Sequence, residues 1–403
     1  MSDRRRGSVV AALGTAQTLS WASSYYLPAV LATPMAHDIG VGAPMVFAAF
    51  SFAMVISAAV GPWSGRAIDR LGGRPVLITT NLIFAAALCA LAMVSGPWTL
   101  FAAWALMGMA MGSGLYEAAF ASLVRLYGHG SRNSITGITL IAGFASTIGW
   151  PLSAWMAARY GWRGACVGWA LLQLAVALPL NASLPRAPAQ LPPDDPAVPA
   201  AAGTSTATAE PAHASRTMAL LAFVFAATWF TSTAMAAHLP RLLEAAGASL
   251  AVAVGIGALV GPSQVAGRLL EFGFLRRWHP LWSARLAAAT HPVGVVGLLA
   301  LGPAAAPVFA VLHGMGNGIL TIAKGTLPLA LFGPGGYGQR QGWLMMPARI
   351  AQAAAPVLFG LALDQWGANA MGLTMGLGML AVAALFALKL HARVSAAGAA
   401  ALP

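Results

Sequence analysis

Long apolar runs, separated by short turns that collect almost all of the charge, constrain this chain more than any other feature. Residues 65–77, Gly-Arg-Ala-Ile-Asp-Arg-Leu-Gly-Gly-Arg-Pro-Val-Leu, form a glycine-rich basic turn with one carboxylate. About 40 apolar-dominated residues, charged only at His37 and Asp38, precede it, and a second apolar run follows. Runs of that length suit helices that cross a bilayer, and the polar turn must then lie outside the hydrocarbon. Three arginines in the turn put it on the cytoplasmic side. Gly65 and Gly72 allow helix ends to approach closely. Asp69 is placed to accept backbone N–H groups at the start of a neighbouring helix, where an anion is favoured. Such a contact would close one face of the protein and break when that face opens.

The turn resembles the signature loop between the second and third helices of the major facilitator superfamily, Gly-x-x-x-Asp-(Arg/Lys)-x-Gly-x-(Arg/Lys). Gly65, Asp69, Arg70, Gly72 and Arg74 fall on the matching positions, Arg66 accompanies them, and Ala67 replaces the usual leucine. A basic turn between any two spans explains the arginines alone. The glycine spacing together with the aspartate points to the family. The resemblance implies an all-α integral membrane protein with twelve helices in two pseudo-repeated six-helix bundles. It implies no enzymatic activity and no cofactor.

Composition agrees. Charged residues make up 8% of the chain and hydrophobic residues 59%, whereas a soluble domain carries about 25% charged residues. The net charge of +12 would suggest nucleic acid in a soluble protein. Here the basic residues stand at the ends of apolar runs, so the charge reads as topology and no nucleic-acid partner is expected. Cys89 and Cys166 lie far apart, each inside an apolar run, and offer neither a disulfide framework nor a metal site. The basic start reads as a cytoplasmic tail before the first span, since the run behind it is too long for a cleaved signal.

Apolar runs bounded by Gly, Pro or charge predict spans at about 8–35, 43–66, 75–95, 98–125, 132–158 and 163–184, then 217–241, 249–271, 281–301, 305–331, 341–364 and 369–390. Basic residues concentrate in alternate loops, which puts both termini in the cytoplasm and the protein in the cell inner membrane. Residues 1–184 and 217–403 are read as two bundles. Residues 185–216, rich in Pro, Ala, Ser and Thr, are read as a flexible cytoplasmic linker. Echoes support the repeat: Gly61-Pro62, Gly65-Arg66 and Asp69 against Gly261-Pro262, Gly267-Arg268 and Glu271, and Gly112-Ser113-Gly114 against Gly316-Asn317-Gly318. Parallel halves place a substrate path at their interface near the bilayer midplane.

Ionisable residues within spans cost a few kcal/mol at the bilayer centre and normally face a partner or a wet cavity. Glu117 in the fourth span, Lys324 in the tenth and Arg349 in the eleventh are the main candidates, with His238, His313 and His291. The resemblance, in which the first, fourth, seventh and tenth helices line the cavity, implies a cavity role for Glu117, Lys324, His238 and His313. A carboxylate such as Glu117 suits proton carriage. Against that stand an ion pair between Glu117 and Lys324, a snorkelling Lys324, and histidines that merely pack between helices. Tyr25 and Tyr26, with Trp21, are cavity-lining donors or interfacial anchors. Asn317, Gln264 and Gln352 are site or helix-bridging groups. Arg268 and Glu271 read as too near the cytoplasmic end of the eighth span to touch substrate.

The small-residue fifth span and the stretch Gly161-Trp162-Arg163-Gly164 look similar to monocarboxylate and oxalate–formate exchanger members of the superfamily, although the acidic first-helix motif of the eukaryotic carriers is absent. Gly108 stands where drug–proton antiporters usually carry an arginine, which lowers a multidrug-export reading. The expected function is secondary active transport of a small organic solute by alternating access, proton-coupled as a symporter, by a monomer in the lipid bilayer. The alternative is efflux of a drug, metalloid or other toxic compound.

Overall fold

In a computed structural model, residues 3–187 and 211–388 are described, and all regular elements among them are helical. Most of the linker expected at residues 185–216 lies outside them, as do Lys389 and Arg393. The first span is α1 (Asp3–Ala22) and α2 (Pro28–Asp38). Next come α3 (Ala43–Leu71), α4 (Gly73–Ala92), and a fourth span split into α5 (Pro97–Gly114) and α6 (Tyr116–Tyr127). The fifth is α7 (Arg132–Ala142), continuing into α8 (Ala145–Leu172). The second part of α8, a π-helical turn at Gln173–Ala177 and α9 (Leu178–Ala182) make the sixth. The seventh is α10 (Pro211–Ala245), and the eighth is α11 (Leu250–Gly257) with α12 (Val260–Gly273). Then follow α13 (Pro280–Leu301), α14 (Ala306–Phe332), α15 (Tyr337–Trp366) and α16 (Met371–Ala387).

Seven helical stretches among the described residues are long and apolar enough to cross a membrane, and one runs for 86 residues, Pro97–Ala182. A straight helix of that length would extend about 130 Å, several bilayers thick. Glycines in the left-handed region fold such stretches back: Gly128 (φ 57°) and Gly161 (φ 71°) inside this one, Gly302 (φ 67°) between α13 and α14, Gly367 (φ 55°) between α15 and α16. No described non-glycine residue has positive φ, so the chain reverses where a missing Cβ makes reversal cheap. Counted this way, the stretches and the broken first span give the twelve crossings expected.

Three spans in the first half are interrupted near their middles, at 23–27, Leu115 and 143–144. A break inside a bilayer frees backbone groups that must find partners. At two of the three breaks α1 supplies a side-chain donor. Gln17 Nε2 donates to the Gly114 carbonyl at 2.6 Å and Thr18 Oγ1 to the Ile141 carbonyl at 3.4 Å. A buried amide chain secures the same region: Asn181 donates to Asn81 (2.7 Å), Asn81 to Gln173 (2.7 Å) and Gln173 to Ser23 Oγ (2.8 Å).

Helix pairs in both halves meet through glycine. A Cβ at Gly108 or Gly112 on α5 would strike the α3 backbone at Ala53 or Ser57. In the second half, one at Gly267 on α12 would strike Met315, and one at Gly318 on α14 would strike Gln264. Small residues that let backbones touch are how membrane helices gain packing energy without a hydrophobic driving force between them.

Candidate functional site

The basic turn ends α3 as its residues suggest. Gly72 (φ 83°) turns the chain and Asp69 reaches the second half. Its Oδ1 accepts the Gly338 N–H at 2.9 Å and its Oδ2 the Gln339 N–H at 2.9 Å, both in the first turn of α15. One carboxylate thus takes two donors that a helix start leaves open, in the field of the helix dipole. The contact requires bare backbone, because Gly65 and Gly338 lie face to face and a Cβ on either would collide with the other's carbonyl. Arg125 Nε donates to the Asp69 carbonyl at 3.2 Å. Arg66 stacks over Trp63, Arg70 is exposed and Arg74 is half-buried.

The echo noted in the sequence forms a second latch. Glu271, at the end of α12, is buried and meets Arg132 Nη2, at the start of α7, at 3.2 Å. Arg132 Nη1 also donates to the Trp278 carbonyl at 2.8 Å. Each half therefore sends an acid from its second helix to the start of the other half's fifth helix. At the opposite end the ion pairs stay within a half: Asp38 with Arg163, and Arg241 with Asp364 at 2.7 Å. The molecule is latched shut at its arginine-rich end.

Between the ends lies a buried charged cluster. The break at Leu115 starts α6 afresh, so Glu117 sits in a first helical turn with its side chain facing the second half. Arg349 Nη2 on α15 donates to Glu117 Oε2 at 2.7 Å, and Lys324 Nζ on α14 stands 3.8 Å from Oε1. The sequence suggested Lys324 as the partner. The structure brings Arg349 closer, because α15 packs directly on α3 and α6 while Lys324 is held under aromatic rings. Lys324 Nζ lies 4.1 Å from the Trp229 ring centroid and 5.3 Å from that of Tyr116, and it has no hydrogen-bond partner. Cation–π contact compensates an ammonium only in part. Lys324 is 1% exposed, so it does not snorkel.

Tyr25, on the interrupted first span, stacks edge-on with Tyr26 and with Trp21, Tyr26 lies tilted against Trp21, and Trp21 packs on Tyr116. Gln352 Nε2 donates to the Tyr25 hydroxyl at 3.0 Å, a further link between halves. Asn317 donates to Ser232 Oγ at 2.8 Å and borders a narrow cleft, with room for about one water, that Lys324 and Trp229 also line. The histidines are engaged locally: His238 with the Pro356 carbonyl at 2.7 Å, and His313 with His291 at 3.0 Å beside Phe309.

Arg268 is where sequence reasoning fell short. Its Cα is near the end of α12, but side chains on a helix lean toward its N-terminus, here toward the membrane middle. The guanidinium fills the space beside Gly143 at the break between α7 and α8 and is 7% exposed. The echo of Gly65-Arg66 in Gly267-Arg268 marked the residue; its direction needed the neighbouring helices.

Two helical bundles, a charged cluster buried between them and latches at one end define a multi-pass membrane protein built to carry a small molecule across a bilayer. The sequence profile of the Major Facilitator Superfamily matches residues 13–307. The chain belongs to that family of transporters, and it is not an enzyme. Among solved structures it is similar to the human organic anion transporter MFSD10 (TETRAN), with TM-score 0.69 and 18% identity over 96% of this chain and all of that one. It is also similar to the E. coli fucose:proton symporter FucP, with TM-score 0.68 and 14% identity over 94% and 98%. A third is the proton:xylose symporter XylE bound to 6-bromo-6-deoxy-D-glucose, with TM-score 0.69 and 12% identity over 96% of each chain. No curated protein matches by sequence.

Proposed function

We propose that the chain is a proton-linked secondary transporter of a small organic anion, working by alternating access in the inner membrane with both termini cytoplasmic. The observation that carries this reading is the Glu117 carboxylate held between Arg349, at 2.7 Å, and Lys324, at 3.8 Å, across the two bundles. Ionised, Glu117 ties the halves together and occupies both cations. Protonated, it loses its charge, and Arg349 and Lys324 become free to hold an anion brought by the substrate. Proton and anion then enter the site together with little change in buried charge, which keeps the cost of crossing low. Each protonation state favours a different facing, which is sufficient for coupling.

The positive-inside tendency puts the arginine-rich end in the cytoplasm, so the latched state reads as facing outward. A related fold was captured by FucP in the outward conformation, with TM-score 0.70 to this chain. Two proton symporters among the similar folds support the coupling ion, and the organic anion transporter supports the charge of the cargo.

The test is accumulation of labelled small organic acids in proteoliposomes with and without an imposed pH gradient. Accumulation should require the gradient. Glu117→Gln should abolish accumulation while retaining exchange, because the amide still accepts from Arg349 and exchange does not require the proton to leave. Glu117→Gln protein that still concentrates an acid under a pH gradient alone would overturn the coupling role.

A further inference from the structure

Buried charge between the two bundles does not balance. Glu117 is the one carboxylate in the cluster, and it faces Arg349 and Lys324. Arg268 adds a third cation. Glu271, one turn further along α12, pairs through Oε1 with Arg132 at 3.2 Å, and its Oε2 has no donor among the described residues. These buried groups therefore carry an excess of two positive charges when Glu117 is ionised. Two of the cationic groups carry a buried nitrogen with no hydrogen-bond acceptor among the described residues: Lys324 Nζ and Arg268 Nε. A buried cation without an acceptor is costly, and proteins retain one where a ligand completes it. The C-terminal carbonyls of α7 beside Gly143 present only the partial charge of a helix end to Arg268.

The geometry points to a substrate with two anionic groups, and we infer that this transporter takes a small organic dianion such as a dicarboxylate. One carboxylate would meet Lys324 beside Trp229 and the other the Arg268 guanidinium, whose planar fork suits a carboxylate. The same glycine contacts that seat α12 on α14, Gly267 against Met315 and Gly318 against Gln264, hold the two cations on one rigid pair of helices. Trp229 and Tyr116 stand around Lys324, giving an aromatic wall to a short carbon chain. Lys324 belongs to the site of the proposed function, on which this inference rests.

Purified full-length protein titrated with malonate, succinate and glutarate, against butyrate as a single-charge control, reads the inference through tryptophan fluorescence and thermal shift. One dicarboxylate should bind at least tenfold more tightly than butyrate. Arg268→Gln should erase that preference, weakening dicarboxylate binding at least tenfold and leaving butyrate within twofold. Arg268→Lys should restore part of it. The melting temperature of ligand-free Arg268→Gln should hold or rise, because an unpaired buried charge is gone; a purely structural arginine would lower it. Equal binding of the two classes, an equal loss of both in Arg268→Gln, or binding of neither overturns the dianion assignment. Proton coupling through Glu117 is decided separately by pH-driven accumulation of the wider acid panel, so either reading can fail alone.

Discussion

At the residue scale, single charges do unequal work according to what surrounds them. Asp69 illustrates this: its two oxygens take two N–H groups of α15 at 2.9 Å each. Asp69→Asn keeps one acceptor and turns an NH₂ toward the other donor, so one hydrogen bond to a charged group is lost and a donor faces a donor. Such bonds are worth about 1.5–3 kcal/mol, roughly 10- to 150-fold in the balance between closed and open latch. A reporter, Ser64→Cys, buried one residue before the Gly65 contact, should be labelled by a membrane-impermeant maleimide from the arginine-rich side at least several-fold faster in the Asp69→Asn background. Cys89→Ser and Cys166→Ser remove the native thiols from the measurement. Unchanged labelling would mean that the carboxylate does not hold the latch. Glu117, in contrast, sits among cations. Glu117→Ala leaves Arg349 and Lys324 buried without a counter-charge and should destabilise the protein by about 3–5 kcal/mol, seen as a fall in melting temperature in detergent. Glu117→Ala with Arg349→Met should recover much of that loss.

At the scale of helices, the twelve spans were legible because apolar runs and reversing glycines are local signals. The interruptions at Leu115 and 143–144 were not, because apolar residues and glycine continue through them and side chains of another helix, Gln17 and Thr18, donate to carbonyls beside them. The Asp69 latch was legible from its motif and its place at a helix end. The Glu117–Arg349 pair was not, since it depends on how two bundles dock. Lys324 looked close enough to its helix end to snorkel, yet Trp229 and Tyr116 enclose it. Glycine contacts give the helix-scale prediction. Gly338→Val puts branched carbon where the Gly65 carbonyl and Asp69 lie, so α3 and α15 cannot close. Transport should fall at least tenfold, with the Ser64→Cys reporter exposed from the arginine-rich side and the fold retained. Gly297→Val, where a side chain meets open space, should leave both readouts unchanged. If both valine variants behave alike, close approach of α3 and α15 is not what closes that end.

At the scale of the whole molecule, the pseudo-repeat means that two latches act on one motion. Asp69 reaches from α3 to the start of α15, and Glu271 reaches from α12 to Arg132 at the start of α7. Rigid bundles that rock about a shared interface break both contacts together, because the latches lie at the same end and join the same two bodies. Their contributions to closing should therefore add as free energies, and their effects on the open population should multiply while that population stays small. If Asp69→Asn and Glu271→Gln each raise the labelling rate of the Ser64→Cys reporter about tenfold, the double variant should raise it roughly a hundredfold, each factor of ten being about 1.4 kcal/mol. Two local frayings would behave differently. Releasing α15 alone would expose Ser64, and Glu271→Gln, acting at α12 and α7, would add nothing. A double variant labelled no faster than Asp69→Asn alone would thus replace the rocking of two bodies with independent movements of their helix ends.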